Sequence, residues 1–254
     1  RRAVGDTMDI GVDANQGWRV ALVDDALLWD LQRASEFASA CADLGVAWIE
    51  EPLAMDAYDD LTELTRYSRV PIAGGELHSA GLPELEMMIE RRCYRIFQPD
   101  AVFTGGIAQT WRVAQLCREH GLGYSPHTWT NGIGFAVNLQ LFAASGFADD
   151  SQLEYPLAPP GWTVEARDGI LAEPFQHRGG DVEVAARPGV GRERCSRPRS
   201  ARACPIPRPP PATIADGDPY EAPRNPEVRI DTTDMTISQV VDRMRKEIGE
   251  PGHP

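Results

Sequence analysis

The sequence predicts an α/β fold: an incomplete TIM-type (β/α) barrel of about six of the eight βα units, followed by a disordered linker and a short helical tail. Three observations carry this. Short apolar runs alternate with amphipathic stretches through residues 1–187. A single ionisable residue closes each of six successive runs. These residues, Asp13, Glu50, Glu76, Asp100, His127 and Glu154, recur at intervals of 37, 26, 24, 27 and 27. One βα unit takes about 25 to 30 residues, since roughly 250 make eight.

The strand-like runs are Met8–Val12, Ala47–Ile49, Pro71–Ala73, Arg95–Gln98, Gly123–Pro126 and Gln152–Glu154. Helical stretches between them are Leu28–Leu44, Tyr58–Arg66, Leu82–Arg91, Ala108–His120 and Ile133–Ala144. In the fourth, Trp111, Ala114, Gln115 and Arg118 recur at helical spacing. Short strand-to-helix connections require parallel pairing. Right-handed crossovers then leave a doubly wound sheet or a barrel. A doubly wound sheet spreads six ionisable strand ends along an edge, whereas a barrel gathers them at one mouth. Convergence favours the barrel. The long first interval predicts an insertion of about ten residues near Arg19–Trp29. One acid after a strand is ordinarily a helix cap or a solvated loop residue; six in phase point to a site.

Composition divides the chain. Residues 1–191 carry the barrel rhythm, 192–215 are Arg/Pro-rich, and 216–254 form a tail. The Arg/Pro stretch has too few large apolar side chains to offset its ordering entropy, so disorder is predicted. In the tail, Ile237, Val240, Val241, Met244 and Ile248 share one helical face. A formal charge of −13 argues against nucleic acid and anionic membrane surfaces as partners. No run approaches the roughly 18 apolar residues of a membrane span, and Arg1–Ile10 has no signal-like apolar run. Cys41, Cys93, Cys117, Cys195 and Cys204 form no C-x-x-C pair, which fits isolated thiols in a reducing cytoplasm.

Asp13, Glu50 and Glu76 would give three carboxylates at neighbouring strand ends, a hard oxygen donor set suited to Mg²⁺. Without a cation they repel one another and their pKa values rise. Asp100 and His127, one strand apart, can form a carboxylate–imidazole pair in which the acid sets the tautomer and raises the ring's basicity. A metal beside a base points to removal of a proton α to a carboxylate. Gly74–Gly75 and Gly105–Gly106 lack the rest of a phosphate loop; the second pair predicts a tight βα turn.

The runs V-D-A-N-Q-G-W (Val12–Trp18), W-I-E-E-P (Trp48–Pro52), A-G-G-E (Ala73–Glu76), Q-P-D-A-x-x-x-G-G-I (Gln98–Ile107) and S-P-H-T-W-T-N-G-I-G (Ser125–Gly134) resemble the mandelate racemase branch of the enolase superfamily. L-E-Y-P (Leu153–Pro156) and P-P-G-W (Pro159–Trp162) are most similar to its acid-sugar dehydratase-like members. The resemblance covers roughly residues 5–191. It implies Asp13, Glu50 and Glu76 as Mg²⁺ ligands, His127 as general base, Asp100 as its partner and Glu154 as the acid facing the substrate carboxylate or enolate. It implies a sugar-acid substrate; relatives commonly form symmetric assemblies, which leaves the oligomeric state open with a homo-oligomer as one alternative. Asn15, His78 and Trp129 are candidates for substrate contact; a turn residue, a loop histidine and a packing aromatic are the plainer alternatives. Strand alternation points Glu51 away from Glu50, which predicts a supporting role.

The match begins at the family's third strand, so its capping domain and lysine motif have no counterpart in residues 1–254; the sole lysine is Lys246. A single-base dehydration is therefore expected, with an epimerase, racemase or cycloisomerase, or an inactive remnant, as alternatives. Asp218–Thr232 and the helix after it resemble the end of adenylylsulfate kinases, without that family's phosphate loop.

Overall fold

The Asp30 carboxylate accepts from Arg33 N at 2.8 Å and so starts helix α1 (Leu31–Asp43). The Asn131 side chain does the same for α5 (Gly132–Ser145), accepting from Ile133 N at 3.0 Å and Gly134 N at 3.2 Å. Between these lie α2 (Tyr58–Tyr67), α3 (Leu82–Arg91) and α4 (Ile107–Glu119). Pro83 opens α3, where a missing N–H costs nothing. Gly105 and Gly106, at φ 88° and 100°, make the turn into α4, a conformation that side chains with a Cβ resist. The predicted βα turn is therefore present.

The computed structural model describes residues 5–19, 27–156, 163–185 and 189–193. These all fall in the first of two units, Arg1–Pro211 and Ala212–Pro254. The predicted linker and kinase-like tail lie outside the described residues from residue 194 onward, as does most of the predicted insertion (20–26).

Five parallel strands, β1 (Gly11–Asp13), β2 (Trp48–Glu50), β3 (Ile72–Gly74), β4 (Ile96–Phe97) and β5 (Gly123–Tyr124), pair in the order β1-β2-β3-β4-β5. Strand order follows chain order with no reversal. A doubly wound sheet needs a reversal, so the winding is that of a partial barrel. Helix stripes cover the outer face. Ile49, Ile72, Phe97 and Tyr124 meet Ala34, Ala38, Leu61, Leu64, Leu85, Met88, Val113 and Cys117 in one buried core. Leu85 and Met88 are fully buried, each contributing roughly 1.5–3 kcal/mol.

The expected strand at Gln152–Glu154 is not formed; the segment pairs with no strand of the sheet. Side chains take the carbonyls that a ladder would use. Ser125 Oγ donates to Gln152 O at 2.6 Å, and Thr128 Oγ1 to Glu154 O at 2.7 Å. Pro126, between them, has no N–H to give. Two elements were not anticipated: a short helix, α6 (Val164–Asp168), and an antiparallel pair, β6 (His177–Arg178) and β7 (Asp181–Val182). They close a second cluster around Phe135, Leu139, Leu171 and Phe175. Among the described residues no helix is long and apolar enough to cross a membrane.

Candidate active site

Register decides which acids are neighbours. Asp13 pairs with Glu50 across β1 and β2, and Glu50 continues to Ala73 and Ile96. Alternation turns Asp13, Glu50 and Gln98 inward. With Glu154 they line a cavity of about 710 Å³ that also takes in Trp48 and Ala73. His127, Asp100 and Glu76 stand just outside that lining. Glu76 and His127 follow the ends of β3 and β5, two to three residues beyond them.

His127 and Asp100 are both buried. His127 Nδ1 is 2.9 Å from Asp100 Oδ2, and its Nε2 is 3.3 Å from Glu76 Oε2. Asp100 Oδ1 accepts from Val102 N at 2.8 Å and from Asn138 Nδ2 at 2.8 Å. Asp100 is thus an acceptor on both oxygens, which assigns the Nδ1 proton to the ring and leaves Nε2 as the atom turned toward the acids. Burial alone would lower the His127 pKa. The Asp100 hydrogen bond and the charges of Glu76 and Glu154 outweigh it and raise the ring to about 9.

The acids are held above their ordinary range. Burial is the main cause at Glu50, which rises to about 8; a Gln98 hydrogen bond opposes it, and Asp13, Glu154 and Glu76 add repulsion. Glu76 rises to about 7, through burial first and then Glu154, Asp13 and Asp100, with His127 pulling the other way. Asp13 and Glu154 are raised as well, again chiefly by burial. Among the described residues no three His, Cys, Asp or Glu side chains stand as a ready metal cage. The donor chemistry nonetheless fits a hard divalent cation. Three carboxylates repel one another across a partly dry space, and positive charge relieves that conflict.

Residues 1–195 match the enolase C-terminal domain-like family. The chain belongs to that family. It is 28% identical over 197 residues to D-galactarolactone cycloisomerase of Agrobacterium fabrum, covering 76% of this chain and 48% of the relative. It is 31% identical over 193 residues to L-talarate/galactarate dehydratase of Salmonella typhimurium, covering 75% and 41%. A crystal structure of L-talarate dehydratase from Polaromonas sp. JS666, complexed with Mg and L-glucarate, superposes with a TM-score of 0.59 at 28% identity, over 77% of this chain and 47% of that one. The chain spans about half the length of the curated relatives it matches.

Other residues of this enolase-type domain sort by what they touch. Asn15, at φ 49°, donates its backbone N–H to Asp13 Oδ1 at 2.8 Å and its Nδ2 to Asp13 Oδ2 at 2.5 Å. These two bonds aim the acid. His78 is buried and faces Glu84 of α3, Nδ1 to Oε1 at 2.9 Å, without the alignment of a hydrogen bond. Tyr58 donates to the same Glu84 oxygen at 2.8 Å. Trp129 is 43% exposed, and its ring N–H helps hold Glu154. Thr128 N donates to Glu154 Oε2 at 2.8 Å. Glu51 is buried at φ 43°, and burial lifts its carboxyl to about 9. Its carboxylate lies over Gly17, where any side chain would collide with it. Asn138 was not foreseen. It is fully buried on α5, donates to Asp100 Oδ1 and His127 O, and accepts from Ala101 N. An isolated amide inside Phe135–Phe142, an otherwise apolar stretch apart from Gln140, was the signal available.

Proposed function

We propose that this chain carries the metal-binding and proton-transfer groups of an Mg²⁺-dependent enzyme that removes the proton α to a carboxylate, with dehydration of a sugar acid as its reaction. One observation carries the reading: an imidazole anchored by Asp100 on one nitrogen turns the other toward a set of mutually repelling acids. Asp13, Glu50 and Glu76 are the residues that would hold Mg²⁺, whose charge would stabilise a developing enolate. Similarity to Mg-bound and sugar-acid-processing relatives supports this.

His127 Nε2 accepts the α-proton, and the electron pair left on carbon is delocalised into the carboxylate. Collapse of that enolate expels the β-hydroxyl, and the proton on Nε2 leaves with it as water. Asp100 keeps the ring oriented and stabilises its charged form. Glu154, held by Thr128 N, faces the same space. Asp100 raises the ring's pKa most, and the charges of Glu76 and Glu154 raise it further, so neutralising those two acids would lower it and free Nε2 to act as a base. The buried free thiols Cys41, Cys93 and Cys117 fit a reducing cytoplasm.

The test is incubation of the full chain with MgCl₂ and a panel of aldonic and aldaric acids in D₂O. A 2-keto-3-deoxy product should form from one acid and carry deuterium at C3, where the enol left by dehydration takes up a solvent proton. Replacing His127 by Asn should abolish its formation. Wild-type turnover by the His127→Asn variant, or no product from any acid despite bound Mg²⁺, would sink the proposal. The similarity to a cycloisomerase favours a second reading, which a product isomeric with its substrate would reveal.

A further inference from the structure

Helix α5 buries Phe135, Ala136, Leu139, Leu141 and Phe142, and Asn138 lies among them with no exposure at all. An unsatisfied amide there would cost about 1–3 kcal/mol. None of its groups is unsatisfied. Oδ1 accepts from Ala101 N at 3.1 Å. Nδ2 donates to Asp100 Oδ1 at 2.8 Å and to His127 O at 3.0 Å. Both amide hydrogens are thereby used. One side chain joins the segment after β4 to the segment after β5, the two places from which the Asp100–His127 pair comes.

We propose that Asn138 is a positioning residue that keeps the Asp100–His127 pair in register and selects the Asp100 oxygen that faces the ring. The inference rests on the reading of His127 as the base. Its contact is with Asp100 and the His127 backbone; it does not meet the reacting atoms. With Oδ1 committed to Asn138 and Val102 N, the carboxylate cannot rotate without breaking two hydrogen bonds, and Oδ2 stays 2.9 Å from Nδ1. A residue that only tied helix to sheet would affect stability and leave the Nδ1–H bond unchanged.

The test uses the full chain labelled with ¹⁵N-histidine, in the absence of divalent cation and substrate. The readout is the low-field Nδ1–H proton of His127, assigned by its disappearance in His127→Asn. Two variants are compared with wild type. Asn138→Asp keeps the shape and the acceptor for Ala101 N but loses both donations; Asn138→Leu loses all three bonds. The expected result is a slowly exchanging resonance in wild type that is lost from both variants while their backbone amide spectra stay native. With an active sugar acid, kcat should fall on the order of 10²-fold at unchanged KM. A resonance that persists unshifted in Asn138→Asp overturns the proposal, as does its absence from wild type or the unfolding of both variants. If Asn138→Leu alone unfolds, Asn138→Asp decides. Loss of the resonance in the variants, with wild type inert toward every acid, upholds the positioning role and sinks the enzymatic reading instead.

Discussion

Replacing Glu50 by Gln should make the metal-free chain more stable, and more so as pH rises. Glu50 ends β2 beside Asp13, and its carboxyl is lifted from the ordinary 4.5 to about 8 by burial and by Asp13, Glu154 and Glu76. Because the folded value lies above the unfolded one, the folded chain holds the proton more tightly. The contribution to stability is complete below about pH 4.5 and is lost as pH rises through 8. At pH 7 the unfolded carboxyl is ionised while the folded one is mostly protonated, a linkage cost of roughly 3 kcal/mol; at pH 5 it is under about 1 kcal/mol. Glu50 retains some solvent contact, which screens the effect to roughly 1–3 kcal/mol at pH 7. Gln has the same shape and carries no charge. Urea unfolding followed by far-UV circular dichroism, with chelator present, at pH 5, 7 and 8.5, reads the difference directly. A Glu50→Gln chain no more stable than wild type at pH 7, or a difference that does not grow from pH 5 to 7, would refute the reasoning.

Two further predictions concern the scaffold. Arg167 lies 4.5 Å from the Phe135 ring and 4.6 Å from the Tyr155 ring and makes a two-pronged bond to Asp168, with both residues fully buried. Arg167→Met should cost about 3–5 kcal/mol in urea unfolding because it strands the Asp168 charge, and adding Asp168→Leu should recover much of that; a loss under about 1 kcal/mol would contradict the burial of the pair. Cys41, Cys93 and Cys117 are buried, with their thiols pushed up by that burial, so of five cysteines the folded chain should show a thiol reagent no more than the other two, Cys195 and Cys204. Counting reacted thiols with and without urea checks this, and a third reactive thiol in the folded chain would contradict it.

The parts legible in the sequence were those written in local periodicity and spacing. Helix α3 occupies Leu82–Arg91 as expected, and α2 differs by one residue. The alternation announced six strands, of which the first five form, and it put Asp13 and Glu50 at strand ends. Long-range decisions were less visible. Whether Gln152–Glu154 joins the sheet depends on which groups capture its carbonyls, and the hydroxyls of Ser125 and Thr128 do so from about 26 residues away. The β6–β7 pair has only two residues on each strand, too few for period-two patterning to register. At the site, the Asp100–His127 pair followed from spacing, because consecutive parallel strands are neighbours. Asn138 did not, because its role exists only once α5 lies across the ends of β4 and β5. His78 shows the reverse: two residues past a predicted ligand, it turns to Glu84 on the helix layer.

Titration calorimetry of Mg²⁺ into the full chain at pH 8 tests most directly whether Asp13, Glu50 and Glu76 share one cation. One site per chain is predicted, with protons released as the raised carboxyls ionise, so the heat should vary with the buffer. Asp13→Asn, Glu50→Gln and Glu76→Gln should each weaken binding at least about tenfold. No saturable binding, or binding indifferent to all three substitutions, would contradict the account.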